Sequence, residues 1–174
     1  MKLKHAVLPT ALALLFSAAS FAGDTGTIFF EGKINASTCK VNNGVRNIYV
    51  NMGTHDASVF ANPGDSTMGP EFELKLTECT GKNANVSLLA QNPVAGAEDQ
   101  IGLKATPTSA TGLVIVLSDK SSHQVRKVDG SEISTQQIKR GGTTFKYVPR
   151  LLRTADPLQP GTIDAAVDYT ITYN

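Results

Sequence analysis

The sequence has no tryptophan, only two cysteines and only 18% charged residues among its 174 residues. Its formal net charge of +1 argues against a nucleic-acid-binding protein, because such proteins need a basic face to displace counterions from phosphates. A hydrophobic content of 41% also excludes a disordered chain. The length provides for one ordinary domain, and the 15 glycines and 8 prolines disfavour a helix-rich one.

Groups of residues typical of enzymes are also scarce. Beyond the N-terminal segment the chain has two histidines, His55 and His123, and each is alone among polar neighbours. A lone histidine of this kind is more often solvated than a base or a metal ligand. The tripeptide 64–66, Gly-Asp-Ser, lacks the strand–turn–helix frame of a serine nucleophile, and no glycine pair forms a phosphate-binding loop. We therefore expect no enzymatic activity, no cofactor and no metal site.

Residues 1–22 have the three parts of a secretory signal peptide. A basic start that includes Lys2 is followed by an apolar run to Phe16, and the small residues Ser20 and Ala22 precede the predicted cleavage site. The apolar run is shorter than the ~20 residues that a membrane-spanning helix needs. The sequence therefore predicts an exported, soluble mature protein.

The two cysteines, Cys39 and Cys79, are predicted to form a disulfide, since an even pair in an exported protein is usually oxidised. Two free buried thiols would be expected only in a reducing compartment. Closing a span of 40 residues between them removes about 3–4 kcal/mol of conformational freedom from the unfolded state. The spacing fits neither a Cys-x-x-Cys redox motif nor a four-ligand zinc site.

The mature chain is predicted to fold as one all-β sandwich, because short runs with a period of two alternate with turn-forming residues. Residues 134–140 are expected to form at most a short turn, and the adjacent carboxylates at 98 and 99 are expected in a loop. The predicted strands cover residues 26–34 continuing to 41, 45–50, 72–77, 86–90, 113–117, 124–128, 144–152 and 165–174.

Several segments, taken together in this order and spacing, resemble the chaperone–usher pilus subunits of the type 1 fimbrial kind. Each motif is weak alone, but the resemblance extends over nearly the whole mature chain. The segments are GTIFFEGKI at 26–34, CKV at 39–41, GDS at 64–66, FELKLTEC at 72–79, GLVIVL at 112–117 and YTITYN at 169–174.

The resemblance implies an incomplete immunoglobulin-like β-sandwich that lacks its final strand. It divides the mature chain into an N-terminal donor-strand extension, 23–32, and a pilin domain, 33–174. In that family a periplasmic chaperone first fills the groove beside the C-terminal strand with a strand of its own. At an outer-membrane usher the extension of the next subunit then replaces it, which is β-strand addition to an open sheet edge.

On the donor side the resemblance assigns five alternate positions that share one face of an extended strand. Ile28 and Phe30 can seat together in a partner's groove, and Gly26 suits a shallow point where two backbones approach closely. Asp24 departs from the pattern, because a charged residue fits an apolar pocket poorly. The extension before Gly26 is short, as in minor or adaptor subunits. The full set is Asp24, Gly26, Ile28, Phe30 and Gly32.

On the acceptor side the alternating apolar residues of the C-terminal strand are implied to face the groove or the core beneath it. The chaperone is implied to grip the C-terminal carboxylate. These residues are Val167, Tyr169, Ile171, Tyr173 and Asn174. The residues alone leave another interpretation open, in which 26–30 is simply the first strand of the domain and 167–173 its last.

The resemblance implies polymerisation with neighbouring subunits, equal or different, periplasmic transit and a final place in a cell-surface fimbrium that can present the subunit to a host receptor. One alternative is an exported adhesin or lectin-like β-domain that binds a receptor itself. A second is a self-contained immunoglobulin-type module such as a secreted inhibitor, against which the missing tryptophan of the Cys…Trp…Cys signature counts. Whether the subunit belongs to the shaft, an adaptor or a terminator stays open.

Overall fold

The computed structural model describes residues 27, 29–33 and 38–174. The predicted signal peptide, 1–22, and three of the predicted donor residues, Asp24, Gly26 and Ile28, lie outside this part. The chain divides into a unit that ends at Ile34 and a unit from Asn35 to Asn174. Residues 27 and 29–33 of the first unit are not assigned to a strand or a helix.

The second unit is built almost entirely of β-strands. Two single 3-10 turns occur at Asn42–Gly44 and Ala57–Phe60. Among the described residues no helix is long and apolar enough to cross a membrane. The strands are β1 (Lys40–Val41), β2 (Ser66–Met68), β3 (Phe72–Thr77), β4 (Asn83–Ala90), β5 (Pro93–Val94), β6 (Ala97–Gly102), β7 (Leu113–Asp119), β8 (Ser134–Gln137), β9 (Thr143–Arg153) and β10 (Val167–Tyr173).

The strands form two antiparallel sheets. The larger has seven strands in the order β1–β3–β9–β7–β6–β5, and β2 pairs with β9 beyond the end of β3. The smaller has three strands in the order β10–β4–β8. β9 and β7 pair along seven residues, from Leu113↔Arg153 to Asp119↔Tyr147. The smaller sheet therefore has β10 at one edge and β8 at the other.

The hydrophobic core lies between the two sheets. Strands alternate their side chains between faces, so every second residue of a strand meets the opposite sheet. One contiguous cluster buries Phe145 and Leu151 of β9 together with Val86 and Leu88 of β4. The predicted all-β sandwich is confirmed.

The disulfide between Cys39 and Cys79 fastens β1 to the end of β3. The two Cα atoms are 4.1 Å apart. Thr80 N–H donates to the Thr38 carbonyl at 3.1 Å beside it, and Lys40 pairs with Thr77 in the ladder. The N-terminal end of the described domain is therefore held to the larger sheet by a covalent bond and by a short ladder.

Three secondary-structure predictions in the second half of the chain were wrong. Residues 124–128 form no strand, because this segment crosses from one sheet to the other. The Arg126 N–H donates to the Leu117 carbonyl of β7, whereas the Val128 carbonyl accepts from the Ala90 N–H of β4. Residues 134–140, predicted as at most a turn, contain strand β8, which pairs with β4. Residues 98 and 99, predicted in a loop, lie in β6.

The prediction of a strand at 45–50 was also wrong. No strand is assigned between Val45 and Asp56, although burial alternates through Ile48, Val50 and Met52 as it does in an extended chain. The reason is the missing ladder: in the described part of the chain no strand forms backbone pairs with this segment. In the predicted run 26–41, only Lys40–Val41 is a strand among the described residues.

We predict that Leu88→Ala lowers the free energy of unfolding by about 2–5 kcal/mol, since it leaves a cavity in the core. The matched control is Leu89→Ala on the opposite face of the same strand, which should cost less than about 1 kcal/mol. Leu88 is 7% exposed and Leu89 is 51% exposed. Urea unfolding measures both values, and the slope of the unfolding free energy against urea concentration should not change. Equal losses for the two variants would contradict the assigned faces of β4.

Candidate functional site

The C-terminal strand β10 is an edge strand with a partner on one side. It pairs antiparallel with β4 over its whole length, from Val167↔Ala90 to Tyr173↔Ala84. In the described part of the chain no strand pairs with its other edge. We call that other side of β10 the open edge.

The backbone groups of β10 are divided evenly between the two sides. Asn83 N–H donates to the Asn174 carbonyl at 2.9 Å, and Asn174 N–H donates to the Asn83 carbonyl at 3.2 Å, which makes a hydrogen-bonded pair. Such pairs recur at every second residue of an antiparallel ladder. The even-numbered residues of β10 therefore bond to β4. The N–H and C=O groups of Val167, Tyr169, Ile171 and Tyr173 point to the open edge.

The side chains of β10 show the same incompleteness. Opposite residues in an antiparallel pair share a face, so the odd-numbered residues of β10 face the core together with their partners on β4. The partners Ala90, Leu88, Val86 and Ala84 are all buried. Val167, Tyr169, Ile171 and Tyr173 contact the same core, yet each stays half-buried. Apolar core surface is therefore open to solvent along β10.

Residues 45–52 run along the open edge, and we call them the groove wall. The Tyr169 hydroxyl donates to the Arg46 carbonyl at 2.6 Å. Ile48 and Met52 pack against the core. Among the described residues no backbone hydrogen bond joins the groove wall to β10. A side chain thus spans a gap that a ladder would close in a complete sheet.

Tyr173 closes one end of this groove beside the disulfide. Burial raises the pKa of Tyr173 above its usual range, and a hydrogen bond with the Cys39 backbone partly offsets that effect. The phenol is therefore neutral at physiological pH. It forms an uncharged end to an apolar groove.

The predicted donor residues that the structure describes are exposed. Phe30 is 93% exposed, its neighbour Phe29 is 82% exposed, and Gly32 is exposed as well. Two adjacent phenylalanines in water are unfavourable, because each leaves apolar surface unburied. The apolar surface of both rings is therefore open to solvent.

The predicted acceptor residues lie together, while the groove wall was missed. Val167, Tyr169, Ile171 and Tyr173 share one face of β10, and Asn174 follows them in a backbone pair with β4. Residues 45–50 were predicted as a strand from their apolar members. The pattern itself contained no signal that the neighbouring strand is absent.

A polar cluster of Asp119, Arg126 and Glu132 stabilises the fold. Burial favours the neutral form of Asp119, but backbone amides of Ser122 and Ser121 and the Arg126 guanidinium hold the pKa of this carboxyl below its usual value. Arg126 also donates to Glu132 at 2.6 Å. These bonds fix the turn after β7. In the described residues no group of three or more His, Cys, Asp or Glu is placed to hold a metal ion.

Comparison with known proteins gives a consistent result. The sequence model of the family described as "Fimbrial protein" matches residues 28–174. The type-1 fimbrial protein subunit of Serratia marcescens is 29% identical over 180 residues, which cover 98% of this chain and 99% of that protein. The probable major fimbrial subunit LpfA of Escherichia coli O157:H7 is 32% identical over 169 residues, with 94% and 93% covered.

The fold has solved counterparts as well. A structure of a chaperone–usher pilus, determined to explain the uncoiling of its rod, superposes with a TM-score of 0.67 at 17% sequence identity. The superposition covers 90% of this chain and 100% of that one. Similarity at this level of identity shows that the two chains share a fold.

We predict that Tyr169→Phe lowers the free energy of unfolding by about 0.5–1.5 kcal/mol, because it removes the hydrogen bond between β10 and the groove wall. Tyr49→Phe is the matched control, since Tyr49 is 91% exposed and its change should leave stability unaltered. Denaturant titration of both variants measures the difference. A Tyr169→Phe variant as stable as the control would show that the bond does not hold the wall to β10.

Proposed function

The chain belongs to the fimbrial protein family and is a structural subunit of a cell-surface fimbria, and we propose that it polymerises by accepting a strand from one neighbour and donating a strand to the next. The single observation that supports this mechanism is the contrast in burial between two paired strands. β4 buries its inward side chains, while the register partners on β10 stay half-buried beside unpaired backbone groups.

An added strand would pair the free backbone groups of β10 and cover its half-buried side chains. Its backbone would bond to the N–H and C=O groups of the open edge, and its alternate side chains would cover Val167, Tyr169, Ile171 and Tyr173. This is β-strand addition, in which the ladder provides affinity and the seated side chains fix the register. Tyr169 would form part of the floor beneath the added strand.

The N-terminal extension of a neighbouring subunit is the proposed donor. In an extended strand Ile28 and Phe30 share a face with Gly26 and Gly32. Each apolar side chain that leaves water contributes roughly 1.5–3 kcal/mol before the cost of ordering the segment. The exposure of Phe30 supports the proposal, because its burial becomes available only on binding. Asp24 would lie furthest out, where a carboxylate can stay hydrated.

The open edge of β10 also bears on how the subunit reaches the cell surface. An open apolar edge invites aggregation, so a subunit exported by a signal peptide at 1–22 needs temporary cover in the periplasm. We propose that a chaperone strand provides it, that basic chaperone residues grip the carboxylate of Asn174, and that an outer-membrane usher exchanges this strand for the next extension. The proposed division is 23–32 as the extension and 33–174 as the pilin domain.

The adhesin alternative is less favoured. The relatives compared are a type-1 fimbrial subunit and a probable major fimbrial subunit, and this chain covers almost their whole length.

We predict that Phe30→Asp abolishes fibre assembly, because a charged side chain cannot be seated in the apolar groove of the acceptor. The matched control is Thr27→Asp, which places the same carboxylate on the outer face of the donor strand and should leave assembly intact. Fibres are counted by electron microscopy in cells that contain the complete assembly system, and immunoblotting verifies equal subunit levels. Normal fibres with Phe30→Asp would overturn the donor assignment, as would equal failure of both variants.

A further inference from the structure

A recess of about 430 Å³ lies on the outer face of the larger sheet, and we call it the outer pocket. β2 ends at Met68 and β3 begins at Phe72, so residues 69–71 lie between the two strands that pair with this side of β9. Val148 of β9 lines the pocket at this interruption. Its neighbour Tyr147 belongs to the core, so Val148 faces outward and forms an apolar floor. The lining includes Met68, Glu71, Lys120, His123, Val148 and Arg150.

The guanidinium of Arg150 has no acidic partner among the described residues. Arg150 shares the outer face of β9 with Val148, two residues away. It forms no ion pair in this part of the chain, and its Nε is buried without a hydrogen-bond partner. Arg126, by contrast, is held by Asp119 and Glu132. A free guanidinium presents a planar fork that matches a carboxylate, so Arg150 is a candidate anchor for an acidic ligand.

The acidic residues Asp119 and Glu71 also line the outer pocket, and both are paired with cations. Asp119 lies 3.4 Å from Arg126, and Glu71 lies 3.3 Å from Lys120 and 3.6 Å from Lys146. The Glu71 side chain is still 33% exposed, so its oxygens can accept hydrogen bonds from a ligand. A simple carboxylate would be repelled by these acids, whereas hydroxyl groups would donate to them.

The outer pocket thus combines a free guanidinium, exposed carboxylate oxygens and an apolar floor. A sugar ring with a carboxylate has the complementary groups: an anion for Arg150, hydroxyl groups for Glu71 and C–H groups for Val148. An acidic protein side chain has the anion without the hydroxyl groups, and a neutral sugar has the hydroxyl groups without the anion. The chemistry of the lining therefore favours an acidic sugar.

We propose that the outer pocket binds the uronic acid unit of a polysaccharide, with its carboxylate on Arg150 and a hydroxyl group on Glu71. The open edge belongs to the smaller sheet, so this site does not depend on strand exchange and goes beyond the proposed function. Repetition of the site along a fibre would strengthen binding, because each further contact with the same polysaccharide is intramolecular.

Saturation-transfer NMR on the mature protein tests the site with three probes. They are methyl glucuronoside, methyl glucoside, which lacks the carboxylate, and acetate, which lacks the hydroxyl groups. Methyl glucuronoside should bind at least about tenfold more tightly than either of the others. Arg150→Gln should weaken its binding at least about tenfold, because a charge-assisted pair is lost. Arg150→Lys keeps the charge without the fork and should weaken it less.

Two further variants separate the site from general effects. Lys75→Gln changes an exposed lysine on the outer face of the same sheet and should leave the affinity unaltered. Glu71→Gln leaves the core and Arg150 in place and should narrow the preference for methyl glucuronoside over acetate, because acetate is then repelled less. Circular dichroism verifies that each variant is folded.

Three results would overturn the site: no binding of methyl glucuronoside, an affinity unchanged by Arg150→Gln, or equal binding of methyl glucoside. Equal binding of acetate, or an unchanged preference in the Glu71→Gln variant, would overturn the assignment to an acidic sugar. None of these results bears on strand donation, since no donor strand takes part in the measurement.

Discussion

A β-strand inside a sheet offers hydrogen-bonding groups on both of its sides, and β10 has a partner on only one of them. Its even-numbered residues bond to β4, while the backbone groups of Val167, Tyr169, Ile171 and Tyr173 point to the open edge. Water can satisfy the unpaired donors and acceptors of this edge, but a strand that buried them without pairing them would be unfavourable. Water does not cover the apolar side chains beside them. The strand addition that we propose follows from this half-finished pairing.

The rest of the domain keeps the groove open and in shape. The disulfide holds Cys39 to the larger sheet, and the Cys39 backbone meets Tyr173 at one end of the groove. The Tyr169 hydroxyl ties the groove wall at Arg46 to β10. These contacts place the wall alongside β10 without closing the ladder. The domain is thus a stable frame around a missing strand, which suits a subunit whose polymer bonds are made by its neighbours.

Sequence patterns predicted the buried strands well, because β3, β4, β7, β9 and β10 alternate or concentrate apolar residues. β8 was missed because its sequence, STQQ, has no apolar residue and it is ordered by pairing with β4. Residues 124–128 were predicted as a strand because a periodic pattern cannot show that the chain changes sheets between Arg126 and Val128.

The candidate site was predictable only in part for the same reason. Alternation shows that Val167, Tyr169, Ile171 and Tyr173 share an apolar face, but it cannot show whether a neighbouring strand covers that face. The resemblance to pilus subunits suggested the missing strand, and the unequal burial of β4 and β10 gave it a physical basis. The groove wall at 45–52 needed coordinates, because its pattern is the same with or without a partner.

The most direct test of the account is amide hydrogen exchange along β10 in the isolated, uncomplexed subunit. The N–H groups of Thr170 and Thr172 bond to β4 and should exchange slowly, whereas those of Tyr169 and Ile171 face the open edge and should exchange far faster. Residues 84–86 of β4 provide the reference, because this strand has a paired neighbour on each side, β10 and β8, and all of its amides should exchange slowly. Alternating protection is the predicted result. Uniformly slow exchange from Val167 to Tyr173 would show that the chain covers its own edge, and the account would fail.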